Sequence, residues 1–167
     1  MTPADLLTDA FGRIGESVHA ALEGLGDDDL AHRPTPGANS LAWLVWHLTR
    51  VQDDHVADVA GREQVWTAQD FAGRFALPFP TEDTGYGHTG EQVGQVRAPA
   101  GLLGDYYDAT ARQTLAYLAD LGPDDLDRIV DERWDPPVTL GARLVSVVND
   151  DTQHAGQAAY LRGLLGR

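Results

Sequence analysis

The chain has 167 residues, 43% of them hydrophobic and 23% charged, and a formal net charge of -14. This balance is typical of a globular protein, and we expect residues 1–167 to form one domain. The acidity disfavours nucleic acid and anionic membranes as partners, because no basic patch is available to neutralise phosphates. The chain has no cysteine, which excludes disulfides, thiolate metal ligands and a cysteine nucleophile. Any thiol chemistry must therefore use a thiol from a small molecule.

No apolar run approaches the roughly 20 residues that a membrane span needs. The N-terminal residues 1–5 also lack the basic start of a secretory signal peptide. From these two observations we expect a cytoplasmic protein.

The N-terminal third predicts two amphipathic helices, because apolar residues recur there at steps of three and four. The first helix is expected over about Pro3–Leu25 and ends in a glycine-rich turn. Residues 27–37 are rich in turn-forming residues and are predicted to connect the helices. The second helix begins at Asn39 or Ser40, either of which can cap a helix N-terminus, and runs to about Ala60.

Residues 62–100 lack helical periodicity and contain prolines, glycines and scattered aromatic residues, with a short helix expected near Gln69–Phe75. A third helix is predicted over about Gly101–Leu121, followed by a linker over Asp124–Val138. The fourth helix is predicted to run from about Thr139 to Leu165. Four amphipathic helices without convincing strand alternation predict an all-α fold, a four-helix bundle.

Helices two and four carry ionisable residues within or beside their apolar stripes, where burial is costly unless the residue is paired or binds metal. Asp150 and His154 are four residues apart and therefore share a face of helix four. His47 on helix two can complete a three-ligand site across the bundle. Two imidazoles and one carboxylate suit Zn(II), Fe(II) or Ni(II), with positions left for water or substrate. The spacing alone more often indicates a solvated ion pair than a metal site. A single histidine at the edge of an apolar stripe, such as His47, is likewise more often a packed, hydrogen-bonded core residue.

Four further polar residues near these positions are candidates for contacting a substrate: Asp54, His55, Asp151 and Gln157. Asp151 can replace Asp150 as a ligand, or hydrogen-bond a ligating histidine. His55 either lines a cavity or packs, and Gln157 contacts either a ligand or solvent. No catalytic residue is assigned.

Two tryptophans and three histidines are given structural or surface roles. Trp43 and Trp46 are expected in the core or at a dimer interface. His19, His32 and His88 resemble ordinary surface or loop histidines.

Two motifs resemble the DinB/YfiT-like superfamily of metalloenzymes. Residues 30–48, LAHRPTPGANSLAWLVWHL, resemble a connector with Arg-Pro that leads into helix two and its ligating histidine. Residues 149–157, NDDTQHAGQ, resemble the last helix of the superfamily. Many members have histidine at the position of Asp150, whereas the mycothiol-dependent maleylpyruvate isomerases have a carboxylate there.

The resemblance implies an up-down-down-up bundle, often dimeric, with a divalent metal bound by His47, Asp150 and His154. It further implies that the metal, expected to be zinc with nickel or iron as alternatives, activates a low-molecular-weight thiol such as mycothiol. We therefore expect a mycothiol-dependent S-transferase or isomerase that acts on an electrophilic small molecule and forms a homodimer. The alternatives are a metal-binding bundle without catalytic activity and a structural bundle without metal.

The long segment Arg62–Pro99 is expected to cover the open side of the metal site. Its length exceeds what a connection between two helices requires. The alternative is a packed segment that only plugs one end of the bundle.

Overall fold

The computed structural model describes residues 1–167, apart from the side chain of Pro123, and is mostly helical. Its elements in chain order are α1 Pro3–Leu22, α2 Asp27–Ala31, α3 Leu41–Ala60, α4 Val65–Ala68, α5 Phe71–Phe75, α6 Gly90–Gln95, α7 Ala100–Ala119, a 3-10 turn Pro123–Asp127, β1 Ile129–Asp131, β2 Val138–Thr139 and α8 Leu140–Leu164. The four long helices α1, α3, α7 and α8 correspond to the four predicted ones, and the all-α fold class is confirmed. No helix among the described residues is long and apolar enough to cross a membrane.

The helix ends follow local capping chemistry. Ser40, and not Asn39, caps α3, because its hydroxyl accepts a hydrogen bond from the Trp43 N–H at 3.2 Å. Thr139 caps α8 in the same way, through the N–H of Ala142 at 3.2 Å. The helix α3 ends at Ala60, and its C-cap Gly61 adopts the left-handed conformation (φ 62°) that glycine tolerates best.

Three segments differ from the sequence prediction. The first helix ends at Leu22, earlier than expected, and the predicted connector contains the short helix α2. The short helix expected near Gln69–Phe75 covers only Phe71–Phe75, because Asp70 is left-handed (φ 55°). The predicted linker after α7 contains an antiparallel hairpin in which Ile129 pairs with Thr139. Strands of two or three residues are too short to show alternation in a sequence.

The helices α1 and α3 each pack against both α7 and α8, which gives the bundle four sides around one core. Their relative direction, up-down-down-up, stays a prediction. Trp43 and Trp46 are 6% and 1% exposed within the single chain, so they belong to this core and do not face a dimer interface. Leu6 on α1 and Leu115 on α7 lie outside this core and are 59% and 36% exposed, respectively.

A buried polar network attaches the segment 62–99 to α3. Asp53 accepts hydrogen bonds from the N–H groups of Val65 and Trp66 at 2.9 and 2.8 Å, and from the Tyr106 hydroxyl at 2.8 Å. Burial raises the pKa of Asp53, and these hydrogen bonds and the charge of Arg50 oppose that rise.

Arg50 extends the network further along the same segment. Its side chain is fully buried, and it donates to the side chain of Gln64 at 2.8 Å and to the carbonyl oxygen of Asp83 at 3.2 Å. It also donates to the Tyr106 hydroxyl at 3.2 Å. Arg50 and Asp53 therefore fix both the start and the middle of the segment on the helix that carries His47.

We expect Arg50→Ala to lower the free energy of unfolding by roughly 3–5 kcal/mol, because Asp53 would lose its buried counter-charge and Gln64 its donor. Urea unfolding followed by circular dichroism measures this change. The control is Arg13→Ala, which removes an exposed i,i+4 ion pair with Asp9 and should leave stability nearly unchanged. Equal midpoints for the two variants would contradict the role of Arg50.

Candidate metal centre

The structure brings together the three side chains that the sequence predicts as ligands. His47 on α3 and Asp150 and His154 on α8 each offer a ligand atom, and these atoms all lie within 4.8 Å of one another. The Asp150 Oδ1 and the His154 Nε2 are 3.7 Å apart. The convergence arises because the i, i+4 spacing aligns two side chains on α8, which packs directly against α3.

The tautomer of His47 follows from its surroundings. Only 5% of this residue is exposed, and its Nδ1–H donates to the carbonyl oxygen of Thr84. This contact leaves the lone pair on Nε2 for a metal, with a backbone partner that fixes the ring orientation. Burial lowers the pKa of His47, the hydrogen bond to Thr84 opposes this, and the proximity of His154 lowers it further. His47 is thus in the neutral form that binds metals near neutral pH.

Two polar atoms in the cluster lack a hydrogen-bond partner. The Asp150 Oδ2 and the His154 Nδ1 are buried, and no described protein atom hydrogen-bonds either of them. Leaving a buried polar atom unpaired costs about 1–3 kcal/mol. A divalent cation would offset that cost, and first-row metals accept this combination of two nitrogen donors and one carboxylate. The donor set therefore fits a bound metal with open coordination positions.

An aromatic side chain supports both histidines of the cluster. The Trp43 indole stacks on the His47 ring with centroids 4.5 Å apart and an interplanar angle of 17°. The same indole meets the His154 ring edge-on at 6.0 Å. Its Nε1–H donates to the Nδ1 of His88 at 3.1 Å, and the His88 Nε2 lies 3.1 Å from the Asp83 carboxylate.

His88 is therefore not the ordinary loop histidine that the sequence indicated, since its side chain is 3% exposed and links Asp83 to Trp43. The residues next to His88 in the sequence could not predict this role, because its partner Trp43 lies 45 residues away.

The segment 62–99 approaches the cluster at one glycine. A Cβ on Gly85 would lie 2.8 Å from the Trp46 ring and 3.0 Å from the His47 Nδ1, and the residue has a φ of +90°. The next residue, Tyr86, is 93% exposed. The segment thus covers one side of the cluster with its backbone and presents one aromatic side chain at its outer edge.

A cavity of about 350 Å³ opens beside the ligands. Its lining includes His47 and Asp150, Thr84, the exposed Tyr86, and two of the four predicted substrate contacts, Asp54 and His55. Burial lowers the pKa of His55, and the nearby positive charge of Arg143 lowers it further.

The other two predicted substrate contacts lie elsewhere. Asp151 is fully buried, and both of its carboxylate oxygens lack a hydrogen-bond partner among the described residues. Burial, followed by the charge of Asp150, raises its pKa well above the usual value. Gln157 is exposed, one helical turn beyond His154. Asp150, and not Asp151, is the carboxylate that the structure groups with the two histidines.

We expect Gly85→Ala to lower metal occupancy, because the added methyl group would push on the His47 ring and the Trp46 ring. Gly87→Ala is the matched control, since Gly87 has a similar φ of +75° but nothing within 4 Å of an added Cβ. The control should lose only about 1–2 kcal/mol of stability, the cost of placing an alanine in the left-handed backbone conformation. Elemental analysis and thermal unfolding measure the two effects, and equal metal occupancy in both variants would contradict the role of the close approach.

Comparison with known proteins is consistent with the fold and the site. The chain matches the family model described as Mycothiol-S-transferase over residues 6–166. A solved structure described as the conserved protein of locus from Enterococcus faecalis is 33% identical, with a TM-score of 0.92 over 100% of this chain and 99% of that chain. No curated protein matches. The resemblance to the DinB/YfiT-like superfamily is thereby confirmed, and the chain belongs to its mycothiol S-transferase family.

Proposed function

We propose that this protein is a divalent-metal-dependent S-transferase that joins the sulfur of mycothiol to an electrophilic small molecule. The observation that carries the proposal is the convergence of the ligand atoms of His47, Asp150 and His154 beside a cavity, with two of their buried polar atoms unpaired. The description of the family supports transfer over isomerisation.

A bound metal would lower the pKa of a thiol and thereby supply a thiolate at neutral pH. This chemistry explains how the chain can act on sulfur without a cysteine of its own. In the overall reaction a sulfur–carbon bond forms at the electrophile, the bond from that carbon to its leaving group breaks, and the leaving group departs with the electron pair. The thiol proton leaves to solvent.

The residues of the chain orient the site and limit water. Thr84 and Trp43 fix the ring of His47, so that the ligand geometry exists before substrates enter. The cavity leaves room for the thiol and the electrophile on the side that the protein ligands do not occupy. Tyr86, at its outer edge, is the side chain placed to contact the electrophile.

We propose zinc as the metal, because zinc accepts nitrogen and oxygen donors with open coordination positions and has no redox chemistry of its own. Nickel and iron accept the same donors, and elemental analysis distinguishes the three. We further propose the cytoplasm as the compartment, because thiols stay reduced there.

We expect His154→Ala to abolish stoichiometric metal binding and mycothiol-dependent conversion of an electrophile such as a chloro-dinitrobenzene. The reason is that Asp150 and His47 alone leave a two-ligand site. His19→Ala is the control, because His19 is a half-exposed histidine on α1 that pairs with Asp108 and does not belong to the metal cluster. Unchanged metal content in His154→Ala would refute the assignment. Full metal binding without turnover in the wild type would favour the non-catalytic alternative.

We also propose a homodimer that uses exposed helix surface, with Trp43 and Trp46 excluded from the interface by their burial. Light scattering should give twice the mass of 18.0 kDa at micromolar concentrations. A mass of one chain throughout that range would refute the dimer.

A further inference from the structure

A second cavity adjoins the cavity of about 350 Å³ beside His47 and Asp150, here called the metal cavity. The two cavities differ in their lining. The second cavity has a volume of about 730 Å³, and it lies between the C-terminal half of α3, the strand β1 and the start of α8. Asp54 and His55 line both cavities, so the two adjoin each other at these residues.

Charged side chains of both signs line this second cavity. The carboxylates are Asp54, Asp58, Asp131 and Glu132, and the guanidinium groups are Arg62, Arg133 and Arg143. Four negative and three positive groups leave a formal charge near zero, in contrast to the charge of -14 on the whole chain. The cavity therefore presents many hydrogen-bond donors and acceptors without selecting a strongly charged ligand.

Several of these groups are fixed by one another. Asp131, whose side chain is 5% exposed, accepts hydrogen bonds from Arg133 at 2.9 and 2.8 Å and from Arg143 at 3.1 Å. Arg143 in turn donates to the Nδ1 of His55 at 2.8 Å, so the proton of this neutral imidazole lies on Nε2. Gln64 donates to Asp54 at 2.8 Å. The polar groups are thus oriented before any ligand binds.

The spacing of residues along α3 suits one extended molecule that reaches from the metal cluster to the second cavity. His55 is eight residues beyond His47 on α3, which corresponds to roughly 12 Å along the helix axis. Asp58 is exposed on the next turn, and its negative charge acts to raise the pKa of both His55 and Arg133. A ligand with its sulfur at the metal would therefore reach the second cavity through a short arm, as in an acylated cysteine joined to a sugar.

We infer that the second cavity binds the uncharged, polyhydroxylated head group of the thiol cosubstrate, an inference that rests on the proposed function. Carboxylates accept hydrogen bonds from neighbouring hydroxyl groups, and guanidinium groups donate to hydroxyl and ring oxygens. Mycothiol carries its N-acetylcysteine on a glucosaminyl-inositol head of this chemical kind. The metal cavity then receives the sulfur, and the second cavity determines which thiol is accepted.

Isothermal titration calorimetry of the metal-loaded protein tests this assignment with Asp58→Ala and Arg62→Ala. Both residues line the second cavity, and neither lies in the metal cluster. We expect each variant to weaken mycothiol binding by roughly tenfold, the loss typical of a hydrogen bond to a charged group. Binding of N-acetylcysteine, which has no head group, should stay unchanged, as should metal content. Glu16→Ala is the control, because it removes an exposed carboxylate from α1, outside the lining of the cavity.

A sulfur-free probe separates this inference from the proposed function. The glucosaminyl-inositol head group alone should bind the wild type at millimolar concentrations and bind both variants more weakly. This result would support the second cavity even if the metal fails to activate a thiol. No binding of the head group to the wild type, or equal affinity of mycothiol for the wild type and both variants, would overturn the inference.

Discussion

The buried ion pair of Arg50 and Asp53 on α3 is the interaction on which the geometry of the site depends. Burying two charges is costly unless each finds several partners, and the segment 62–99 supplies most of those partners through its backbone. The segment is thereby fixed on the helix that carries His47, and Thr84 and Gly85 reach the imidazole from it. The polar network determines the position of the segment 62–99 more than it raises the free energy of unfolding. Apolar residues could fill the same volume, but they could not fix the backbone of the segment in this register.

The candidate metal cluster and the Arg50–Asp53 ion pair both place ionisable side chains inside the bundle, but they offset the cost of burial in different ways. Arg50 and Asp53 satisfy each other and the backbone within the chain. Asp150 and His154, one helix away, keep buried atoms that no described protein atom hydrogen-bonds, and an external cation could satisfy the cluster. A bundle can accommodate both because α3 packs against α7 through one face and α8 through another, so the structural network and the candidate reaction site occupy separate sides of one helix. Changes at one site are therefore expected to affect the other through the segment 62–99.

The sequence predicted the long helices well, because their caps and apolar periodicity are local signals. It also predicted the grouping of His47, Asp150 and His154, although the spacing alone did not distinguish a metal site from an ion pair, and the resemblance decided between them. It missed the burial of His88 and the depth of Arg50, because both depend on partners far away in the chain. Residues 41–50 are all buried, so the first half of α3 carries little amphipathic contrast, and the direction in which each side chain points could not be read from the pattern.

The stacking of Trp43 on His47 has a consequence for how the site can be observed. An indole in van der Waals contact with an imidazole changes its fluorescence when that imidazole gains a proton or a cation. The other tryptophans include Trp46 and Trp66, which are buried, and Trp134, which is mostly exposed and reports on the solvent. The protein therefore contains an intrinsic optical reporter at the cluster, in contact with the side chain of His47.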